Sequence, residues 1–149
     1  MKVNQLNILL ADDDIDDCLF FKEALTELLP ANDFNAVHDG EQLMELLTNE
    51  ATKLPDVLFL DLNMPRKNGF ECLSEIKQHA KLKALPVVIF STSGSPDNIS
   101  IIFKTGADVY IRKPGNLAQL VQVLNHALPM ATENIVAKGN LKYILNACI

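Results

Sequence analysis

The sequence predicts an α/β protein with five parallel strands in one doubly wound sheet and helices on both faces. Short apolar runs alternate with amphipathic stretches five times along the 149 residues. The first, third and fourth runs are apolar almost throughout, as strands are when helices cover both faces of a parallel sheet. Right-handed crossovers between parallel strands then leave the doubly wound arrangement as the natural topology.

The first three βα units lie between residue 6 and residue 79. Strands are predicted at 6–10, 34–37 and 57–60, and helices at 15–29, from Gly40 onward, and at about 68–79. The first helix is predicted because apolar residues recur at helical spacing at Cys18, Phe21, Leu25 and Leu28. The second strand has the weakest pattern of the three, since its apolar run is short.

The last two units lie between residue 86 and residue 128. Pro86 precedes a strand at 87–90, and a Ser-Gly-Ser-Pro loop leads to a helix carrying Ile99 and Ile102. Gly106 stands where a helix commonly ends in a glycine. A short strand at 109–111 and a helix at 116–128 complete the fifth unit. The pattern therefore predicts a domain over 1–128 and an extension over 129–149.

Composition and charge exclude several classes of function. Hydrophobic residues make up 48% and charged residues 21% of the chain, which is an ordinary globular composition. No apolar run approaches the ~18 residues of a membrane span, and the N-terminus lacks the pattern of a signal peptide. Three widely spaced cysteines favour reduced thiols, so a cytoplasmic location is expected. A net charge of −6 argues against nucleic-acid binding by this chain.

Polar side chains follow four of the predicted strands. Asp12, Asp13 and Asp14 follow the first strand and Asp61 the third, and the others are Ser91 and Thr92, Arg112 and Lys113. Ligands of open parallel sheets bind at the carboxyl ends of the strands. Carboxylates, a hydroxyl and an ammonium group should therefore meet at one edge of this sheet.

Crowded carboxylates at that edge indicate a divalent cation. Asp12, Asp13 and Asp61 would repel one another, and Mg²⁺ relieves the repulsion with the oxygen ligands that it prefers. The backbone carbonyl of Asn63 is a further candidate ligand, and Lys113 would make the site suitable for phosphate. Each residue alone has an ordinary structural explanation, since an aspartate after a strand is often a helix N-cap. The joint pattern favours the functional interpretation.

The segments ILLADDD, LFLDLNMPRKNG, VVIFSTS and YIRKP together resemble the receiver domain of two-component response regulators over about residues 5–128. The resemblance implies the flavodoxin-like strand order 2-1-3-4-5. It implies that Asp61 is the phosphoacceptor, that Asp13 binds Mg²⁺ directly and that Asp12 acts mainly through water. The carbonyl of Asn63 completes the protein ligands of Mg²⁺.

The resemblance also implies the groups that respond to phosphorylation. Ser91 and Lys113 would stabilise the phosphoryl group, and Ser91 and Tyr110 would form the conformational switch. The Lys113–Pro114 bond is expected to be cis, which an X-Pro bond accommodates at low cost. Asn63 and Ser93 are expected to tune dephosphorylation. Asn68 departs from the family, in which an aspartate is common before the glycine that Gly69 matches.

The function implied by the resemblance is that of a stand-alone phosphoacceptor switch rather than a turnover enzyme. Its partners would be a sensor histidine kinase or phosphotransfer protein and a downstream protein target. The chain also resembles, more loosely, small receivers paired with phytochrome-type kinases. Two alternatives are a degenerate receiver that acts only as a binding module and a haloacid-dehalogenase-type phosphatase. The phosphatase is less consistent with the sequence because that group carries an acid where this chain has Asn63.

The extension has an ambiguous pattern. Leu141, Ile144, Leu145 and Cys148 recur at helical spacing, which indicates a short amphipathic helix. The Lys138-Gly139-Asn140 stretch would equally suit a hairpin. Such an extension would either pack on its own domain or form a homodimer or partner contact.

Overall fold

The computed structural model describes residues 6–92 and 95–132, and the backbone of residues 143–145. Its described strands form one parallel sheet in the order β2-β1-β3-β4-β5-β6. The strands are β1 Asn7–Ala11, β2 Asp33–Val37, β3 Val57–Leu60, β4 Val87–Ser91, β5 Val109–Arg112 and β6 Tyr143–Leu145. The helices are α1 Ile15–Leu28, α2 Gly40–Thr48, α3 Gly69–Gln78, α4 Pro96–Thr105 and α5 Leu117–Thr132. The predicted order 2-1-3-4-5 of the first five strands is confirmed.

Helices cover the two faces of the sheet and create two apolar layers. Residues of α1 and α5 pack on one face, around Phe21 and Leu124, and residues of α2, α3 and α4 pack on the other, around Leu43, Leu73 and Ile102. All four residues of β3 and all five of β4 are buried. The continuous apolar runs of these strands are explained by this two-sided burial.

A polar residue precedes each of the five described helices. The side chains of Asp14, Asp39, Asn68, Ser95 and Asn116 each accept a hydrogen bond from a backbone amide in the first turn of the following helix. At α3 the cap is reciprocal, since Glu71 also accepts a hydrogen bond from the backbone amide of Asn68. The departure from the family at Asn68 therefore has a structural role in this chain.

The extension contains a strand at three of its described residues, and the Lys138-Gly139-Asn140 stretch predicted for a hairpin lies outside the described residues. Tyr143–Leu145 is not helical but forms a strand, β6, that runs parallel to β5 beside Val109–Ile111. Pairing supplies hydrogen-bond partners to a strand that would otherwise be an edge, which the helical spacing of the side chains could not reveal. Leu141 and Cys148 lie outside the described residues.

The last helix of the core is longer than predicted. It continues through Pro129 and ends at Thr132, with Leu128 and Ala131 buried against the sheet. The free energy gained by burying these side chains outweighs the cost of the backbone hydrogen bond that a proline inside a helix removes. The boundary predicted at residue 128 thus falls inside α5. Within the described residues, none of the helices combines the length and apolarity needed to cross a membrane.

Candidate functional site

The polar residues at the strand ends meet at the carboxyl edge of the sheet. Asp12 and Asp13 follow β1, and Asp61 follows β3, so that carboxylate oxygens of all three lie within 4.8 Å of one another. Asp12 is 0% and Asp61 5% exposed, whereas Asp13 is exposed to solvent. The edge therefore presents a partly open cluster of three carboxylates.

Backbone pairing between strands positions these carboxylates. The amide of Asp61 donates to the carbonyl of Ala11 at 2.9 Å, and the amide of Asp12 donates to Val37 at 3.0 Å. These bonds extend the parallel ladders by one residue and hold the two aspartates side by side. Asp14, the third acid of the run, has a different role, because it is the N-cap of α1 and its amide donates to Asp12 Oδ1 at 3.0 Å.

Lys113 follows β5, and its ammonium group contacts the carboxylates. Its Nζ lies 2.8 Å from Asp12 Oδ2, 2.8 Å from Asp17 Oδ2 and 3.4 Å from Asp61 Oδ2. Its side chain is only 11% exposed, and the ring of Phe90 lies 5.7 Å from Nζ. The predicted ammonium is therefore present, and it is shared by three acids.

Asp17 is the one residue of this group that the sequence analysis did not select. It lies in the first turn of α1, where acids commonly stabilise a helix, so its sequence position indicated only that general role. The contact with Lys113 spans 96 residues of sequence and joins the first turn of α1 to the residue after β5.

The electrostatics of the site reflect three acids sharing one cation. Burial raises the pKa of the Asp12 carboxyl to about 6, although its contact with Lys113 acts in the opposite direction. Burial lowers the pKa of Lys113, but its pairs with Asp12 and Asp17 outweigh that effect and raise it overall. The ammonium thus stays charged, and the Asp12 carboxyl takes up a proton at a higher pH than an ordinary aspartate does.

The carboxylates fit a hard divalent cation. Asp12 Oδ2 is buried, and its contact with Lys113 lacks hydrogen-bond geometry, so its lone pairs remain unsatisfied. A cation bound by Asp12, Asp13 and Asp61 would supply the missing partner, and all three offer the oxygen ligands that Mg²⁺ prefers.

The loop between β3 and α3 lies close against Asp61. The amide of Asn63 lies 3.4 Å from Asp61 Oδ1, and the amide of Gly69 donates to the carbonyl of Leu62 at 2.9 Å. Arg66 has a φ of 69°, a left-handed conformation that is uncommon outside glycine. The exposed Asn63 thus begins a tight loop at the site, where the sequence analysis expected its carbonyl to act as a ligand.

Ser91 and Tyr110 both lie in the protein interior. Ser91 ends β4 at the site and is 0% exposed, and its carbonyl accepts a hydrogen bond from the amide of Lys113 at 3.0 Å. Tyr110 is 1% exposed and belongs to the apolar layer formed with α2, α3 and α4, and this burial raises the pKa of its hydroxyl. The ring thus already occupies an inward position. Ser93 lies outside the described residues.

The prediction of a cis bond before Pro114 is wrong. The described residues contain no cis peptide bond, so Lys113 and Pro114 are joined in trans. The trans isomer of an X-Pro bond is the more stable one by roughly 0.5–1 kcal/mol. The backbone contact of Lys113 with Ser91 and its side-chain contact with Asp61 are both made with this isomer.

The fold and this edge site define a receiver domain of two-component signalling. Residues 8–125 match the family model of the response regulator receiver domain, and the chain belongs to that family. Receiver domains are signalling domains that bind Mg²⁺ in an acidic pocket and interact with histidine kinases and with downstream targets.

Particular relatives share most of this chain. Response regulator Rcp1 of Synechocystis is 32% identical over 121 residues, which cover 78% of this chain and 82% of Rcp1. The transcriptional regulatory protein CpxR of Escherichia coli is 37% identical over 116 residues, which cover 76% of this chain but only 45% of CpxR. This chain therefore spans less than half the length of CpxR.

Solved structures of such relatives have the same fold. The phosphorylated cyanobacterial phytochrome response regulator RcpA superposes with a TM-score of 0.78 at 34% identity, covering 85% of this chain and 94% of RcpA. The Mn²⁺-bound form of Rcp1 gives a TM-score of 0.72 at 30% identity, covering 88% and 92% of the two chains. This chain is thus similar along most of its length to stand-alone response regulators.

Proposed function

We propose that this chain is a phosphoacceptor switch in which Asp61 receives a phosphoryl group from the phosphohistidine of a sensor histidine kinase or a phosphotransfer protein. The observation that carries this proposal is the position of Asp61, which lies beside both an acid pair and a buried ammonium at the carboxyl edge of the sheet. A strand-end aspartate with a structural role alone would not require either neighbour.

The transfer is a displacement at phosphorus. A carboxylate oxygen of Asp61 attacks the phosphorus atom, the P–N bond of the phosphohistidine breaks, and the imidazole nitrogen keeps the electron pair. The product is an acyl phosphate on Asp61 and a histidine on the partner, whose ring is neutral because it retains a proton on its other nitrogen or takes one up from water. Catalysis of this kind consists mainly of positioning and charge stabilisation, and Lys113 is placed to donate to a phosphoryl oxygen.

A bound Mg²⁺ would neutralise the negative charge that develops on the phosphoryl oxygens. Asp12, Asp13 and Asp61 would hold it, with the carbonyl of Asn63 as a further ligand. This assignment is supported by the unsatisfied oxygen of Asp12 and, among relatives, by the Mn²⁺-bound form of Rcp1.

Output would pass through Ser91 and Tyr110 to a protein-interaction surface. The phosphoryl group would accept a hydrogen bond from Ser91, and this contact would favour the packing in which Tyr110 lies inward. This proposal is supported by the burial of Tyr110, which is 1% exposed. Asn63 and Ser93 are proposed to set the lifetime of the phosphoryl group.

The kinase partner that we propose is of the phytochrome type, and the proposed location is the cytoplasm. The support is similarity to RcpA, whose structure is that of a cyanobacterial phytochrome response regulator. A kinase profile would test this assignment, since the cognate kinase should transfer label to Asp61 faster than unrelated kinases do. Equal rates with all kinases would contradict it.

A homodimer contact through the extension is a further proposal, supported by the position of β6 at the end of the sheet. Analytical ultracentrifugation of the full chain and of a variant that ends at Thr132 would test it. Loss of self-association in the shortened chain is expected, and unchanged self-association would remove the proposal.

Acetyl phosphate and the phosphoryl analogue BeF₃⁻, each added with Mg²⁺, test the central assignment. The parent chain should form an acid-stable, base-labile phosphoprotein with acetyl phosphate and should bind BeF₃⁻. Asp61→Asn should do neither, whereas Asp16→Asn, which removes an exposed charge from the first turn of α1, should behave like the parent. A response of Asp61→Asn equal to that of the parent would contradict the assignment.

The two alternatives give different results in the same experiment. A binding module without phosphoacceptor chemistry would bind neither Mg²⁺ nor BeF₃⁻. A phosphatase would release phosphate steadily from a generic phosphoester. The exposed Asn63 at the position where such phosphatases carry an acid makes steady turnover the less favoured result.

A further inference from the structure

Asp17 is an acid outside the carboxylate cluster that also contacts Lys113. Asp17 Oδ2 lies 2.8 Å from Lys113 Nζ and accepts a hydrogen bond from it, and the Asp17 side chain is 38% exposed. The backbone amide of Asp17 donates to the N-cap side chain of Asp14 at 3.1 Å. The first turn of α1 therefore fixes the carboxylate that reaches Lys113.

The contact with Asp61 is the longest of the three that the ammonium group makes. Its distance to Asp61 Oδ2 is 3.4 Å, against 2.8 Å to Asp12 and to Asp17. Lys113 Nζ donates hydrogen bonds to Asp17 and Asp61 and forms an ion pair with Asp12. A phosphoryl oxygen on Asp61 must therefore compete with acids that already surround the ammonium group.

The two nearer acids differ in what happens when a cation binds. Asp12 belongs to the carboxylate cluster that fits Mg²⁺, so a bound cation would draw its oxygens away from Lys113. Asp17 lies outside that cluster and would keep its contact. Asp17 is therefore the competitor that remains when the site is ready for phosphoryl transfer.

We propose that Asp17 is a positioning residue that holds Lys113 back from Asp61 and thereby weakens the binding of a phosphoryl group. The proposal rests on the proposed function of Asp61. Phosphoryl binding would require Lys113 to turn from Asp17 towards the new oxygen. Removal of the Asp17 charge should make that turn easier and should also reduce the negative charge near the phosphoryl group.

Affinity for BeF₃⁻ at saturating Mg²⁺, measured by isothermal titration calorimetry, tests the proposal in four proteins. Asp17→Asn should bind roughly two- to fivefold more tightly than the parent, the range expected for a partly exposed ion pair. Asp17→Glu should restore weaker binding, because it returns the charge. Asp16→Asn should bind like the parent, since it removes one charge from the same turn without a contact to Lys113.

A double-mutant cycle separates an effect through Lys113 from a general effect of charge. In a Lys113→Met background, Asp17→Asn should tighten BeF₃⁻ binding no more than Asp16→Asn does. A gain that persists in this background would overturn the proposal, as would equal or weaker binding by Asp17→Asn itself. Absence of BeF₃⁻ binding by the parent chain would instead contradict the proposed function of Asp61.

Discussion

Gly69 packs its backbone directly against the backbone of Asp61. A Cβ atom placed on Gly69 would lie 2.3 Å from the carbonyl oxygen of Asp61 and 2.7 Å from the Cα of Leu62. These neighbours are backbone atoms of the segment that follows β3, so they cannot move aside as a flexible side chain would. The start of α3 can therefore approach the end of β3 this closely only because residue 69 has no side chain.

Gly69→Ala should disturb both folding and the site. We expect a loss of about 1–3 kcal/mol in the free energy of unfolding, as for other forced contacts in packed regions. Binding of BeF₃⁻ should weaken as well, because the backbone of Asp61 must shift. Urea denaturation and calorimetry measure the two effects. Gly115→Ala is the matched control, since a Cβ there meets nothing within 4 Å, and equal effects of both substitutions would contradict the explanation.

Asn68→Ala should destabilise the protein by about 1 kcal/mol, because it removes one half of the reciprocal cap at the start of α3. Asn68→Asp should retain most of the stability, since aspartate accepts the same hydrogen bond from the amide of Glu71 and suits a helix N-terminus. Urea denaturation of the three proteins checks the order. If Asn68→Asp lost as much stability as Asn68→Ala, capping of α3 would not be the role of Asn68.

In the metal-free protein, Asp12 should contribute stability that is lost as the pH rises from about 4 to about 6. Burial raises the pKa of Asp12 from 3.8 to about 6, so the folded chain binds a proton that the unfolded chain releases. This contribution is complete below about pH 4 and is lost above about pH 6, and its size is on the order of 2–3 kcal/mol. Urea denaturation across this pH range, with a chelator present to remove metal ions, measures this contribution.

Asp12→Asn serves as the comparison because its side chain does not titrate. The stability of the parent minus that of Asp12→Asn should fall from pH 4 to pH 6, and a difference that stays level would refute the assignment. With saturating Mg²⁺ the parent should instead gain stability as the pH rises, since a cation binds the deprotonated carboxylate.

Ile144→Pro should expose the edge of β5. The substitution removes the backbone N–H at the centre of β6, which lies beside Tyr110 in the ladder. Amides of β5 that face β6 should then exchange faster with solvent. Each broken hydrogen bond should lower the free energy of unfolding by about 1 kcal/mol. Hydrogen exchange measured by NMR checks this result. Ile144→Val keeps the N–H and should leave exchange unchanged, whereas unchanged exchange in both variants would contradict the pairing.

Most of the fold could be predicted from local patterns. Val57–Leu60 was predicted with the same bounds that the structure shows, because a strand buried on both faces has a continuous apolar run. The residues that meet at the edge were also predictable, since the carboxyl ends of parallel strands lie together. Asp12, Asp61 and Lys113 could thus be selected as neighbours before their distances were known.

Other features depended on contacts that no local pattern contains. The spacing of residues 141–148 predicted a helix, but Tyr143–Leu145 pairs with β5, because an edge strand offers unsatisfied backbone groups. The bond before Pro114 is trans, although the resemblance implied cis.

By itself, the sequence determined the order of strands and helices, the apolar core and the set of polar residues at one edge of the sheet. Periodicity and strand ends can be recognised from neighbouring residues, and a parallel sheet brings the carboxyl ends of its strands together at one edge. Only the tertiary structure decided which acids Lys113 contacts. The contact between Asp17 and Lys113 joins the first turn of α1 to the residue after β5, and its distance depends on how two elements far apart in the chain are brought together.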